Sequence, residues 1–281
     1  MAIVPFQKQS AQRHGDEPDW DDDDQLQSGD PEGSGKMSFL EHLDELRRRI
    51  MYSVIAVGVG FLIAFFFIQP IFDFIMKPLQ AVLPAGQKLV YTEPTEAFTL
   101  YIQIAAIAGL MLATPVVMSQ VWLFIAPGLY TNEKKIAIPF VLMSSFFFIA
   151  GAAFSHYVVF PLTWKFFLSF TTDYMTFMPR IEPTFDLYMK MLLAFGLVFQ
   201  MPTIVLFLAR MGLVTAGFMW GQFKYAILVI FIVAAVVTPS GDMFTQTAMA
   251  TPMIGLYILS IGLAWMFGKK RRKDDDDSTE S

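Results

Sequence analysis

"YAILVIFIVAAVV", residues 225–237, decides the fold. This run of 13 apolar residues lies between Lys224 and the turn-forming "TPSGD" of 238–242. As a helix it reaches roughly 20 Å, against about 30 Å of bilayer hydrocarbon. Length alone does not make it a membrane span, so its neighbours must decide. Uncharged apolar runs occupy residues 51–68, 97–125, 136–164, about 191–209 and 243–267. If 225–237 also crosses, there are six spans and both termini share a side. That side then carries 13 Lys and Arg: Lys36, Arg47, Arg48, Arg49, Lys134, Lys135, Arg210, Lys224 and the "KKRRK" tail at 269–273. The other side carries five: Lys77, Lys88, Lys165, Arg180 and Lys190. The positive-inside rule puts both termini in the cytoplasm. Without the fifth span the basic tail would be exported, so the short run is read as a span, with Lys224 snorkelling at its start.

Composition agrees. The chain of 281 residues is 55% hydrophobic, with a mean hydropathy of +0.50, too apolar for an ordinary soluble domain. It has no cysteine, which excludes disulfides, thiol catalysis and Cys-ligated zinc. His14, His42 and His156 are scattered, and no metal site is expected. The net charge of −5 comes from the tails, since residues 1–36 and 274–281 hold 14 of the 25 acids. Residues 37–273 carry 17 basic against 11 acidic side chains. The expected organisation is an acidic, disordered extension at 1–36, a membrane domain at 37–268 and a basic-then-acidic tail at 269–281. Residues 1–36 lack the apolar core of a cleavable signal peptide, and none is expected.

The expected fold is all-α and polytopic, with six transmembrane helices, N-in and C-in. The fifth and sixth spans are expected to be short. Pro115 marks a place where the long second run can bend. The external connections at 69–96 and 166–186 are long and proline-containing, and are expected to pack together as a cap.

Charge of both signs gathers before the first span in "SFLEHLDELRRRI", residues 38–50. Ser38 and Glu41 form a capping box, so a helix begins there. Phe39, Leu43, Leu46 and Ile50 make an apolar stripe. Asp44 with Arg48 and Glu45 with Arg49 stand at i,i+4 spacing. An amphipathic helix at the membrane surface turning into the first span accounts for all of this. On that reading the arginines are topology anchors and the acids their partners.

"QVWLFIAPGLYTNEKK" at 120–135, together with "FLEHLDELRRRI" at 39–50, resembles the TatC family, the receptor subunit of the twin-arginine protein translocase. "FPL" at 160–162, "AFGLVFQMP" at 194–202 and "TPSGDMFTQ" at 238–246 add to the likeness, which spans residues 37–268. The resemblance implies six spans in the bacterial inner membrane. It implies binding of signal peptides of the Ser-Arg-Arg-x-Phe-Leu-Lys type on folded precursors, and single-span partners of the TatA and TatB kind. It also implies self-association in a multi-subunit receptor and export driven by the proton-motive force. No cofactor, nucleic acid or catalysis is implied, and the chain has no GxxxxGK[ST] loop.

By position, Glu45 and Glu133 match the family's signal-binding carboxylates, and Phe124, Pro127 and Leu129 match residues shaping the same surface. A carboxylate offers a bidentate match to a guanidinium. Glu45 can instead serve only Arg49, Glu133 only Lys134 or Lys135, and Phe124 can face core or lipid. Thr238 and Gln246 match a polar cluster suited to partner docking, with packing inside the chain as the competing role. Pro78 matches an external-loop proline and reads as a turn-former. Asp242 resembles an acid after the "TP" turn. Gln200 stands where many members carry an intramembrane glutamate; it cannot titrate and is expected to make polar partner or cavity contacts.

The competing class is a secondary transporter or channel for a small solute. It calls for ionisable residues converging at mid-membrane. The runs hold Gln103, Gln200 and Gln246 but no central acid–base pair, and no inverted repeat is evident. HExxH and GxSxG are absent too, which argues against a membrane-embedded enzyme.

Overall fold

A computed structural model describes residues 39–84, 88–125, 134–172, 174, 178–238 and 243–268. The chain divides into two units, Met1–Leu43 and Asp44–Ser281. The described part of the first is the opening of helix α1 (Phe39–Phe66). The packing set out below belongs to the second.

All the regular structure among the described residues is helical, apart from one isolated bridge. Five helical stretches are long and apolar enough to cross a membrane: Glu41–Phe66, Pro94–Ile125, Ile138–Leu168, Ile181–Arg210 and Thr245–Phe267. A shorter apolar helix, Phe223–Val237, covers the doubtful run. The run expected as a short sixth span is instead among the long helices. Its helix holds 25 residues, with nothing charged in residues 243–267, and it continues through Pro252. The run expected as the fifth span forms a helix of 15 residues, below bilayer length.

The surface helix and the first span are one helix. α1 runs 28 residues without a break, since no Pro or Gly separates the charged stripe from the apolar run. It ends at Phe66, and after Phe67 α2 (Ile68–Gln80) follows within what was expected to be a loop. Pro78 therefore sits inside the last turn of α2 and is not a turn-former. α2 buries Ile75, Met76 and Leu79 at i, i+1 and i+4, which holds this amphipathic piece on the core.

α3 (Pro94–Ile125) stays one helix through Pro115. α4 (Lys134–Phe154) passes through a π-helical segment, Ser155–Val159, into α5 (Phe160–Leu168). Pro161 supplies the reason for the π turn: it has no N–H and its ring crowds the carbonyl four residues back, so a widened turn relieves both. The fourth span starts earlier than its apolar run, at Ile181, and breaks after α6 (Ile181–Val198). α7 (Met201–Arg210) restarts with Pro202 in its first turn, where a missing N–H costs nothing. A short α8 (Ala216–Gly221), capped by Thr215, leads into α9 (Phe223–Val237) and α10 (Met243–Phe267).

The main core joins α2, α3, α5, α6, α9 and α10 around Phe160, Phe185, Met191, Phe195 and Met249, all nearly or fully inaccessible. α1 meets α3 through glycines. A Cβ on Gly60 would lie 2.4 Å from the Gly109 carbonyl oxygen, and one on Gly109 2.4 Å from the Phe61 nitrogen. Only glycine allows the two backbones this close, the usual device where lipid offers no hydrophobic drive for helix association.

The two long connections do pack together. The Val90 N–H donates to the Pro179 carbonyl at 2.9 Å, and the Ile181 N–H to the Val90 carbonyl at 3.0 Å. Arg180 then reaches Glu96 and Thr92, at 2.9 Å each, while the Thr92 hydroxyl donates to Glu96 at 2.8 Å. Glu96 is buried, so the bridge neutralises a carboxylate at the mouth of α3.

Candidate functional site

Arg49 joins the N-terminal part of α1 to the C-terminal part of α3. One arm of its guanidinium donates to Glu45 Oε1 at 2.9 Å, one turn back on α1. The other arm donates to Gln120 Oε1 at 3.3 Å, 71 residues further along. A planar fork can hold two acceptors at once, which a lysine ammonium on one stem does less well. Glu45 is left half satisfied. Its Oε2 is buried and has no hydrogen-bond partner among the described residues. A carboxylate oxygen kept from water without a donor is a costly arrangement, and an incoming cation with N–H donors would relieve it.

The remaining charges behave differently from the i,i+4 expectation. Arg48 turns away from Asp44, donating to the Tyr52 hydroxyl at 3.2 Å with its guanidinium 5.6 Å from the Tyr52 ring centre. Asp44 is exposed, and no ion pair joins it to Arg48 among the described residues. Both chains hang outward, and an exposed pair gains little over hydration.

Two residues beyond Gln120, Trp122 begins a buried aromatic group. Its indole N–H donates to the Ser144 hydroxyl at 2.6 Å, and its ring packs on Phe140 and Phe207. Phe124 is half-buried, between core and surface. Glu133, Pro127, Leu129 and Asp242 lie outside the described residues.

The other polar positions are used within the chain. Gln200 caps the start of α7, is buried, and donates from Nε2 to the Ser144 carbonyl on α4 at 3.0 Å. Thr238 ends α9; its hydroxyl donates to the Ala234 carbonyl at 2.6 Å and approaches the Met249 sulfur at 3.2 Å. Gln246 donates from α10 to the Phe231 carbonyl on α9 at 2.9 Å. Thr238 and Gln246 thus lie on one helix pair, while Gln200 belongs to another. The expectation of partner contact meets an internal role at all three, because each group finds a backbone carbonyl or a sulfur on its own or an adjacent helix.

Gln120, Ser144 and the Glu96–Arg180 pair carry much of this geometry and were not singled out from the sequence. Gln120 lay in the quoted 120–135 stretch. Glu96 was visible as an acid at the edge of an apolar run. Ser144 gave no signal, being one of many hydroxyls in apolar surroundings. No cluster of three or more His, Cys, Asp or Glu able to hold a metal occurs among the described residues.

These features define a polytopic helical membrane protein whose polar groups cross-link helices and present a half-satisfied carboxylate at one end of α1. The family model for the Sec-independent protein translocase protein (TatC) matches residues 41–252. The chain is similar to the Sec-independent protein translocase protein TatC of Koribacter versatilis, 43% identical over 248 residues covering 87% of this chain and 91% of that one. It is 45% identical to TatC of Desulforapulum autotrophicum over 246 residues, covering 88% and 91%. A crystal structure of the twin arginine translocase receptor TatC superposes with a TM-score of 0.70 at 36% identity, covering 80% of this chain and 98% of that one. A second, in DDM, gives 0.71 at 35% identity, covering 82% and 100%. The chain belongs to the TatC family. It is a subunit of the bacterial Sec-independent twin-arginine translocase, a transport component and not an enzyme.

Proposed function

We propose that this chain receives the arginine pair of a twin-arginine signal peptide at its cytoplasmic face, with Glu45 and Glu133 as the acceptor carboxylates. The observation that carries the reading is Glu45 Oε2, buried beside Arg49 and without a donor. A signal arginine supplies the missing N–H groups in the geometry a carboxylate prefers. Arg49 and Gln120 position Glu45, and Phe124, Pro127 and Leu129 flank the bound peptide.

Six spans place both termini in the cytoplasm of a bacterial inner membrane, with residues 1–36 and 269–281 as solvated extensions of the membrane domain. The packed connections around Arg180 and Glu96 form the external cap. Single-span partners of the TatA and TatB type dock along α9 and α10, whose contact Thr238 and Gln246 fix. The apolar face that α9 leaves exposed, including Tyr225, Leu228, Val229, Ile232 and Val236, supports that placement. Several copies assemble into the receptor, and export of folded precursors runs on the proton-motive force.

The test is crosslinking of a twin-arginine peptide, against a twin-lysine control, to membranes holding each variant at matched level. Hydrogen bonds to charged groups contribute about 1.5–3 kcal/mol each, so Glu45→Ala weakens capture about ten- to a hundred-fold. Glu133→Lys is worse than Glu133→Ala, since it adds repulsion. Asp44→Ala costs far less. Equal losses for Asp44→Ala and Glu45→Ala would return Glu45 to the role of a local partner for Arg49.

A further inference from the structure

A groove of about 390 Å³ lies between α10 and the π segment with α5, walled by Val158, Leu162 and Phe166 on one side and Ala248, Met249 and Pro252 on the other. That volume falls within the roughly 300–1,000 Å³ typical of small-molecule sites. Two of its hydroxyls bond within their own helices: Thr163 donates to the Val159 carbonyl at 2.9 Å, and Thr251 to the Thr247 carbonyl at 2.8 Å. The walls therefore offer methyl, methylene and ring surface with little left to hydrogen-bond a partner helix. Both walls belong to stretches long and apolar enough to span a membrane.

Lys165 completes the arrangement. Leu162, Lys165 and Phe166 stand at i, i+3 and i+4 on α5, so they share one face of the helix. Lys165 is in the last turn, toward the membrane boundary, and is exposed. It forms no ion pair among the described residues. Lys165 is not a lining residue but adjoins Phe166 on α5, so a cation stands beside the apolar groove, the complement of a phospholipid: chain against groove, phosphate against ammonium.

We propose that this groove holds an acyl chain of an anionic phospholipid whose phosphate is met by Lys165. The groove alone cannot select a lipid, because the bilayer around it is as apolar as its walls. Selection must come from the headgroup, and a lysine acts on phosphate as a point charge. A single Lys near an anionic membrane surface contributes enough for about a five-fold preference.

The experiment uses the full chain in mixed micelles containing equal amounts of phosphatidylglycerol and phosphatidylethanolamine, with bound lipid counted by native mass spectrometry. The parent chain retains phosphatidylglycerol about five-fold over phosphatidylethanolamine. Lys165→Gln brings the ratio to near one without lowering total lipid greatly, and Lys165→Arg restores the preference. Ala248→Phe fills the groove and removes one lipid of either kind. Lys165 is exposed, so the charge variants keep the fold even if the groove-filling one does not. Equal retention of the two lipids by the parent, or an unchanged ratio in Lys165→Gln, overturns the proposal. So does a folded Ala248→Phe that keeps its lipids but loses an added single-span partner, since the groove would then be a helix site.

Discussion

Gln200 shows what one amide can do inside a membrane. Its Nε2 spans from the break before α7 to the Ser144 carbonyl, and Ser144 in turn receives the Trp122 indole through its hydroxyl. The amide therefore ties α7 to α4, beside the Trp122 group. Interhelical polar contacts in membranes contribute about 0.6–2 kcal/mol. Gln200→Leu should lower stability by that amount, read as an earlier unfolding midpoint in detergent, while partner crosslinking from α9 stays at the parental level. A loss of partner crosslinking with stability intact would place the amide at a docking surface instead. Gln200→Glu can keep the contact only as a neutral carboxyl, because a carboxylate has no proton to give the carbonyl. Glu45 presents the opposite case, a side chain whose second acceptor the fold leaves open.

At the scale of elements, two devices place the ends of the helices. The Gly60–Gly109 approach sets how closely α1 lies on α3, and with it whether Arg49 can reach Gln120 from Glu45. A Cβ there strikes backbone, which cannot move aside as a side-chain tip would. Gly109→Val should cost about 1–3 kcal/mol, the range for overpacking. It should also reduce twin-arginine peptide crosslinking although no site residue changes. Normal crosslinking with normal stability would show that α1 is held some other way. The second device is the Arg180 clamp on Glu96 and Thr92. Either Glu96→Arg or Arg180→Glu alone should make the connection after α2 more sensitive to protease. The double exchange should recover much of the protection, whereas no recovery would mean that the backbone bridge at Val90 holds the connection unaided.

For the whole molecule, the sidedness of the fifth span remains the deciding prediction. Reporter fusions at Gly241 and Lys269 should report opposite sides of the membrane; the same side for both would remove α9 from the spans. The helix is there, but its 15 residues reach only about 22 Å, so the bilayer must thin or neighbouring groups snorkel around it. Much of this architecture was legible in the sequence. Long uncharged runs must become helices in lipid, because every backbone N–H and C=O needs an internal partner there. The unequal distribution of Lys and Arg, 13 against five on a six-span reading, gives those helices an expected direction. Sequence also marked Glu45, since its i,i+4 spacing from Arg49 puts the two on one helix face, where the pair forms although the equally spaced Asp44 and Arg48 do not pair. Beyond the expectation that the two long connections pack together, it could not supply which residues join distant segments. The helix hidden in the first long connection, the meeting of Arg49 with Gln120, the Glu96–Arg180 bridge and the use of Gln200 on Ser144 all depend on which helix faces which. Helix pairing in a membrane is settled by close packing and a few polar contacts between surfaces that are all apolar. Local periodicity carries almost no record of that choice, so the tertiary structure decided it.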